Sequence, residues 1–336
     1  MSAKHILILG TGSAGKRHAR NLHELGCRIS CMDPRQDRID ELAADVPLVG
    51  GYQAVDDALA AGDLHGVAVT SPPMFHVEQS TAALRAGLPV LLEKPVCPTL
   101  ADAETLRRVR DLTGTPLLLG YTYRWWPPLM RVRELLAEGV IGALRYAQFV
   151  MSAHLADWHP WERYQDFFMA HQSLGGGALL DESHWLDLMF WFLGAPQTVR
   201  ADIDKVSDLE IDTDDNVEMM IRYASGLRVG MHLDLYGRPH QKYIRFYGEE
   251  GTLLWSFDPN AIRIARGMEE AWEDETFTCE RNDMFVGVAR EFLAVLDGQE
   301  PSTCTLEDGL AVLGLIEQAR QSSSTHRAQP ALPQGA

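Results

Sequence analysis

The stretch His5-Ile6-Leu7-Ile8-Leu9-Gly10-Thr11-Gly12-Ser13-Ala14-Gly15 is an apolar run of strand length that breaks into glycines and then opens a helical pattern. That order is the G-x-G-x-x-G arrangement of a dinucleotide cradle. Gly10 permits the tight turn out of the strand, Gly12 lets backbone approach a pyrophosphate with no Cβ in the way, and Gly15 allows close helix packing. Thr11, Ser13 and Ala14 complete the turn, and the phosphates are expected on the N-terminus of the helix that follows, where free N–H groups and the positive dipole end favour an anion. A second apolar run, Arg28-Ile29-Ser30-Cys31-Met32, ends on Asp33, about the 20 residues on at which an acidic side chain meets the ribose. A carboxylate there accepts from ribose hydroxyls and repels a 2′-phosphate, so NAD is expected over NADP. Arg35, two residues later, keeps NADP open.

At 336 residues the chain suits two domains of ordinary size, and its 46% hydrophobic content is that of a globular protein. A net charge of -17 with no segregated basic patch argues against nucleic acid or an anionic membrane as partner. The five cysteines, Cys27, Cys31, Cys97, Cys279 and Cys304, are odd in number and lack paired zinc spacing, which fits reduced thiols. No apolar leader precedes the first strand and no stretch reaches the about 18 apolar residues of a membrane span, so a cytoplasmic protein is expected. His154, His159 and His171 are too widely spaced for a metal set and no cysteine joins them, so no metal is expected.

After Asp33 short apolar runs alternate with amphipathic segments, which reads as a doubly wound parallel sheet with helices on both faces. Strands are expected at 66–69, 88–92 and 116–119, and helices at about 75–86 and 100–112. The 88–92 strand delivers Glu93-Lys94-Pro95 at its carboxyl end, where open α/β sheets bind ligands. Pro95 holds Lys94 in an extended backbone at that edge. Adjacent aromatics and prolines in Tyr121-Thr122-Tyr123-Arg124-Trp125-Trp126-Pro127-Pro128 mark a change of composition. The division is therefore 1–122, a cofactor domain; 123–325, a substrate-binding and oligomerisation domain; and 326–336, a disordered tail. In the second domain a helix at about 129–138 precedes alternating runs at 144–154, 199–206, 217–223, 227–235 and 243–247, which read as a large, mostly antiparallel sheet. Two late helices are expected at about 284–296 and 306–321. The fold class is α/β, a parallel doubly wound sheet followed by an α/β domain with an open antiparallel one.

An insertion at 157–194 holds the densest mix of Trp, His, Asp and Gly. Within it, Gly175-Gly176-Gly177-Ala178-Leu179-Leu180-Asp181-Glu182-Ser183-His184-Trp185-Leu186-Asp187 offers three glycines, expected to let backbone approach a ligand, then Asp181, His184 and Asp187 at i,i+3 spacings that can share one side of a helix. A histidine beside a carboxylate is the usual general base near neutral pH, and oxidising an alcohol needs one. A nearby cation such as Lys94 can stabilise the developing alkoxide. Trp125, Trp126, Trp158, His159, Trp161, Tyr164, Trp185 and Trp191 surround this segment, and aromatic faces can stack on sugar rings. Arg124, Arg163 and Arg238 could pair with a substrate carboxylate or phosphate.

At these residues the sequence resembles the Gfo/Idh/MocA oxidoreductases, which include glucose-fructose oxidoreductase and inositol dehydrogenase. The resemblance covers nearly the whole chain and rests on Gly10 to Gly15, the segment from Thr70 to His76, Glu93-Lys94-Pro95, the segment from Gly175 to Asp187, and Gly248-Glu249-Glu250-Gly251-Thr252. It implies a Rossmann domain, then an α/β domain whose open sheet supports a homodimer or homotetramer, with NAD(P) and a sugar, sugar nucleotide or cyclitol in the cleft between. The lysine of Glu-Lys-Pro and an Asp and His on the second-domain helix carry over as the catalytic set Lys94, Asp181 and His184. Thr70, Ser71, Pro72, His76, Glu93 and Lys94 join the glycine loop, Asp33 and Arg35 around the cofactor. Tyr123, Arg124, Trp126, Trp158, Arg163, Asp187 and Arg238 are substrate candidates. The family's common pattern places the histidine four residues after the aspartate, whereas His184 follows Asp181 by three. One missing residue rotates a helix by about 100°, so Asp181 and His184 cannot both keep their usual directions unless the helix start is rebuilt. Asp-x-Ser-His-x-x-Asp is similar to a branch associated with sugar-nucleotide and surface-glycan pathways. The implied function is hydride transfer between a nicotinamide cofactor and a substrate hydroxyl. Epimerisation, elimination or glycosidic cleavage on tightly held NAD, or a dinucleotide-binding sensor, are the alternatives. A methyltransferase shares the glycine turn but has no use for Glu93-Lys94-Pro95.

Overall fold

The computed structural model describes residues 3–158, 162–267 and 271–325. His159, Trp161 and the 326–336 tail lie outside them. Six strands, β1 (His5–Leu9), β2 (Arg28–Met32), β3 (Leu48–Tyr52), β4 (Gly66–Val69), β5 (Val90–Glu93) and β6 (Leu117–Gly120), form a parallel sheet in the order β3-β2-β1-β4-β5-β6. The connecting helices are α1 (Ser13–Glu24), α2 (Gln36–Asp45), α3 (Val55–Leu59), α4 (His76–Arg85) and α5 (Leu100–Thr113). All residues of β1, β4, β5 and β6 are buried, because helices cover both faces. On α1 the buried Gly15, His18, Ala19 and Leu22 recur at helical spacing and form the stripe laid on the sheet. Thr99 caps α5 by accepting from the Asp102 N–H. The strand order reverses between β1 and β4, and the glycine loop opens at that switch point. The strand β3 was not expected, since Gly50 and Gly51 at the sheet edge erase the apolar pattern.

Beyond the 3₁₀ turn Thr122–Trp125, α6 (Pro127–Ala137) leads to β7 (Leu144–Ser152), the insertion with α7 (Ala178–Asp181) and α8 (Ser183–Leu193), and then β8 (Thr198–Asp204), β9 (Asn216–Arg222), β10 (Arg228–Asp234), β11 (Gln241–Gly248), β12 (Gly251–Ser256), β13 (Ala261–Arg266) and β14 (Glu273–Thr276). These make an eight-stranded sheet in the order β14-β13-β12-β11-β7-β10-β9-β8. Every pairing is antiparallel except β7 with β10. One face points Ala147, Phe149, Met219, Met231, Phe246 and Trp255 inward, where Trp255 meets Trp185 of α8 at 6.1 Å. The other face bears Gln148, Glu218, Met220, Arg222 and Tyr247.

The late helices α9 (Asn282–Leu296) and α10 (Leu306–Thr325) return to the first sheet. Val288, Ala289 and Phe292 of α9 join Ile6, Ile8, Leu91 and Leu118 in one core. Gly66 accommodates this contact, since a Cβ there would lie 2.9 Å from Phe292 and 2.8 Å from Leu296. The helix α10 packs on α5 and on the edge strand β8, whose Ala201 and Ile203 N–H groups donate to Ser322 and Ser323 hydroxyls. These two helices therefore tie both sheets together, which fixes the cleft between them.

Candidate active site

The glycine loop is shaped by contacts that only glycine allows. A Cβ on Gly15 would collide with the Gly10 carbonyl oxygen, and one on Gly10, at φ 89°, would fall 2.7 Å from the Ser71 backbone. At Gly12 the nearest atom would be Arg38 Nη1 at 3.8 Å, the far end of a flexible side chain, so no backbone crowds this position. No side chain caps the N-terminus of α1, leaving the N–H groups of Ser13, Ala14 and Gly15 for an anion. Thr70 Oγ1 donates to the carbonyls of Leu9 and Gly10 at 3.0 and 2.6 Å, holding the loop to the end of β4. Asp33 is 4% exposed and accepts from the Thr11 N–H at 2.9 Å and the Arg35 N–H at 3.0 Å. Its remaining lone pairs can accept from a ribose. The Arg35 side chain is exposed and ion-paired with Asp37. An open Gly12 beside an uncapped helix start and a strand-end carboxylate fits a dinucleotide.

Around the switch point, Ser71 Oγ donates to Gln79 at 2.8 Å and Pro72 starts the turn into α4. His76 is buried, which lowers its pKa, and its ring nitrogens lie 2.8 Å from the Pro95 and Ser71 carbonyls. It bridges the loops after β4 and β5. Against burial, which would raise it, the hydrogen bond from His18 at 2.7 Å and the charges of His18 and Lys94 hold the Glu93 carboxyl below the usual range.

From the end of β5, Lys94 Nζ crosses to α7 and donates to the Asp181 carboxylate at 2.8 Å and its carbonyl at 2.7 Å. Burial opposes the ammonium charge, but the Asp181 carboxylate outweighs it and raises the Lys94 pKa. Asp181, His184 and Asp187 do not share one helix. The chain leaves helical geometry at Glu182, φ -86° and ψ 17°, and α8 starts anew at Ser183. This break supplies the rebuilt start that the shortened spacing demands. It also changes the partners, because Asp181 bonds Lys94 and not His184.

The His184 ring lies edge-on to Tyr121 and Tyr123, centroids 5.7 and 5.0 Å away, and its buried Nδ1 has no hydrogen-bond partner. Burial first, then the charges of Lys94, Lys242 and Arg281, push its pKa well below the usual value, so the ring is neutral and able to accept a proton. Beside it burial and the Asp181 charge raise the Glu182 carboxyl to about 7.

Several sequence expectations are corrected. The glycines 175–177 are approached closely by other parts of the chain. A Cβ on Gly175 would meet Pro98 and Pro73 at 3.1 and 3.2 Å, on Gly176 the Met169 carbonyl at 2.5 Å, and on Gly177 the Asp214 carboxylate. Arg124 and Asp187 form a buried pair at 2.7 Å, with Arg124 also bonding the Thr303 carbonyl at 2.8 Å, so each is committed to a protein partner. The pair fixes α8 one turn below His184. Arg238 pairs with Asp157 at the surface, and Arg163 is exposed. Trp126 is buried and stacked on Phe257, Trp185 packs in the core, and Trp191 lies under Arg133. Trp158 is half-buried against the core. Tyr123 does reach the cleft, and its hydroxyl accepts from Lys242 Nζ at 3.2 Å. The sequence reading missed Lys242, Glu182 and Tyr121. A lone lysine within the alternation of β11 gives no signal, while two aromatics flanking Thr122 could have suggested a ring platform.

A dinucleotide cradle facing a lysine, a carboxylate and a neutral histidine across a cleft defines an oxidoreductase. Residues 4–121 match the oxidoreductase family with the NAD-binding Rossmann fold, and residues 129–254 match the GFO/IDH/MocA C-terminal domain. The chain is 30% identical to inositol 2-dehydrogenase of Leifsonia xyli subsp. xyli over 326 residues, which is 94% of this chain and 89% of that one. It is 22% identical to the scyllo-inositol 2-dehydrogenase (NADP(+)) of Bacillus subtilis, covering 95% and 94% of the two. Levoglucosan dehydrogenase in complex with NADH has the same fold, with a TM-score of 0.86 at 16% identity and coverage of 96% and 97%. The chain belongs to the Gfo/Idh/MocA oxidoreductase family, and its first sheet is the NAD-binding domain. Among the described residues no helix is long and apolar enough to cross a membrane.

Proposed function

We propose that this oxidoreductase oxidises a hydroxyl of a sugar, sugar nucleotide or cyclitol, with Lys94, Asp181 and His184 as its catalytic residues. The observation that carries the reading is the Lys94–Asp181 bond, which reaches from the cofactor sheet to the helix pair of the second and is set beside a neutral, unpartnered histidine. When bound, the nicotinamide supplies the acceptor for hydride from the substrate carbon. Lys94 Nζ, kept charged by Asp181, donates to the substrate oxygen and stabilises the charge that grows there. His184 takes the hydroxyl proton on a ring nitrogen. Burial first, and the neighbouring cations after it, make it a weak base, and those cations also lower the energy of the alkoxide that forms. The edge-on tyrosines keep the ring in place and exclude water. Relatives acting on inositols and levoglucosan support a polyhydroxylated ring as substrate. A screen of sugars, inositols and sugar nucleotides with NAD, followed by NADH absorbance, tests this. Net NADH formation with one class is the expected result, and bound NAD that cycles without net reduction would contradict it.

The open face of the second sheet exposes Met220 at 58% and Tyr146 at 39%, with Tyr146 and Tyr247 rings 5.7 Å apart. We propose that a second copy of the chain covers it. Light scattering should give a dimer or tetramer, and a monomer at micromolar concentration would refute it.

A further inference from the structure

The strand β11 carries a second lysine to the cleft. Lys242 is half-buried, donates to the Tyr123 hydroxyl at 3.2 Å, and stands over the Tyr123 and Phe257 rings at 5.9 and 5.3 Å. The Tyr123 ring is itself 5.0 Å from His184, so one aromatic ring separates the ammonium from the base. A cavity of about 280 Å³ opens beside it, lined by His240, Lys242, Ser256, Phe257 and Asp258 among others. Among the described residues no carboxylate lies within 4.0 Å of Lys242 or of Arg281. The ammonium is held by the Tyr123 hydroxyl and two ring faces, which leaves it able to donate to an anion entering the cavity.

The charge balance around His184 points the same way. Lys94, Lys242 and Arg281 all act on the ring, while Asp181 is committed to Lys94 and burial drives Glu182 toward its neutral form. Lys242 and Arg281 are therefore cations that no carboxylate among the described residues holds at ion-pair distance, inside a chain whose net charge is -17. Two cations without an ion-pair partner beside an open cavity favour an anion there. We propose that the substrate carries a carboxylate or a phosphate, and that Lys242 binds it, with Arg281 and His240 at the rim. This rests on the dehydrogenase reading of the same site. The hydroxyl to be oxidised and the anion then sit on opposite sides of Tyr123, which makes Lys242 the residue that selects among otherwise similar rings.

The test uses the 336-residue chain with NAD and matched sets of a neutral sugar or inositol, its acid and its phosphate, in wild type, Lys242→Gln and Lys242→Arg. One charge-assisted hydrogen bond corresponds to about a 10- to 100-fold preference in kcat/KM for an anionic member, expressed in KM. Whether the acid or the phosphate is preferred identifies the group. Lys242→Gln should collapse the preference to about unity, and Lys242→Arg should restore most of it, with NADH binding confirming that both variants fold. No preference in wild type, or a preference that survives Lys242→Gln, overturns the proposal. If nothing is oxidised, the dehydrogenase reading fails separately. Titration calorimetry of the same acids and phosphates then decides the anion site: binding weakened in Lys242→Gln supports it, and no binding overturns it.

Discussion

Replacing Arg124 by leucine removes one half of a buried ion pair and leaves the other half in place. Arg124 is 4% exposed, and its Nε and Nη2 donate to Asp187 at 2.7–3.1 Å while Nη1 bonds the Thr303 carbonyl. Breaking such a pair costs about 3–5 kcal/mol, because the remaining charge has no solvent to return to. Asp187 can escape only by taking a proton. Burial, opposed by Arg124, already raises its pKa to about 6. Asp308, Tyr121 and Cys304 are the other titratable groups facing the pair. Without Arg124 the folded pKa rises further, while the unfolded value stays near 4. A raised folded pKa means stability is lost as pH rises from the unfolded value to the folded one. Wild type completes that loss near pH 6, whereas the variant continues to lose about 1.4 kcal/mol per pH unit above it. Urea unfolding followed by tryptophan fluorescence at pH 5.5 and 8 should therefore show a larger deficit at pH 8. A deficit below about 1 kcal/mol at both, together with a raised substrate KM, would show that Arg124 is free to meet substrate and refute this reasoning.

Glu182 offers a second pH signature. Its carboxyl is raised to about 7, so the folded state holds a proton that the unfolded chain has released, and stability should fall as pH rises from about 4.5 to 7. Asp181, Lys94, Lys242 and Trp185 face it, and Glu182→Gln should flatten the slope in denaturant titrations across that range; an unchanged slope would place the titration elsewhere. For the cofactor, the buried Asp33 carboxylate should make NAD bind about tenfold or more tightly than NADP by fluorescence titration. Tighter NADP binding would mean that Arg35 leaves Asp37 to take the 2′-phosphate.

Much of this arrangement is legible in the sequence because it rests on local chemistry. A strand that ends in Gly10, Gly12 and Gly15 can be read from residue types alone, and Pro95 after Lys94 marks the edge of β5. What escapes depends on long-range contacts. The apolar stripe of α9 shows that one face is buried but not that it lies on β1, β5 and β6. The shortened spacing from Asp181 to His184 signals a rebuilt helix start, but Leu179 to Leu193 is continuously helical in composition, so its place at Glu182 is not legible. Arg124 and Asp187 are 63 residues apart, and each alone resembles a ligand contact. Glycines 175–177 mislead for a related reason: a glycine run signals close approach without saying whether a ligand or another loop approaches.

In the proposed mechanism Lys94 and His184 act on charge that develops only during the reaction, while the glycine loop and Asp33 hold the cofactor. Once a substrate is identified, kcat and the NAD dissociation constant of Lys94→Ala, His184→Ala and Asp181→Asn measure it directly. The expected result is a fall in kcat of about 10²- to 10⁴-fold for Lys94→Ala and His184→Ala with NAD affinity nearly intact, and a loss in Asp181→Asn that follows weakened charge on Lys94. Turnover near wild type in His184→Ala, or losses in NAD affinity that match the losses in kcat, would contradict it.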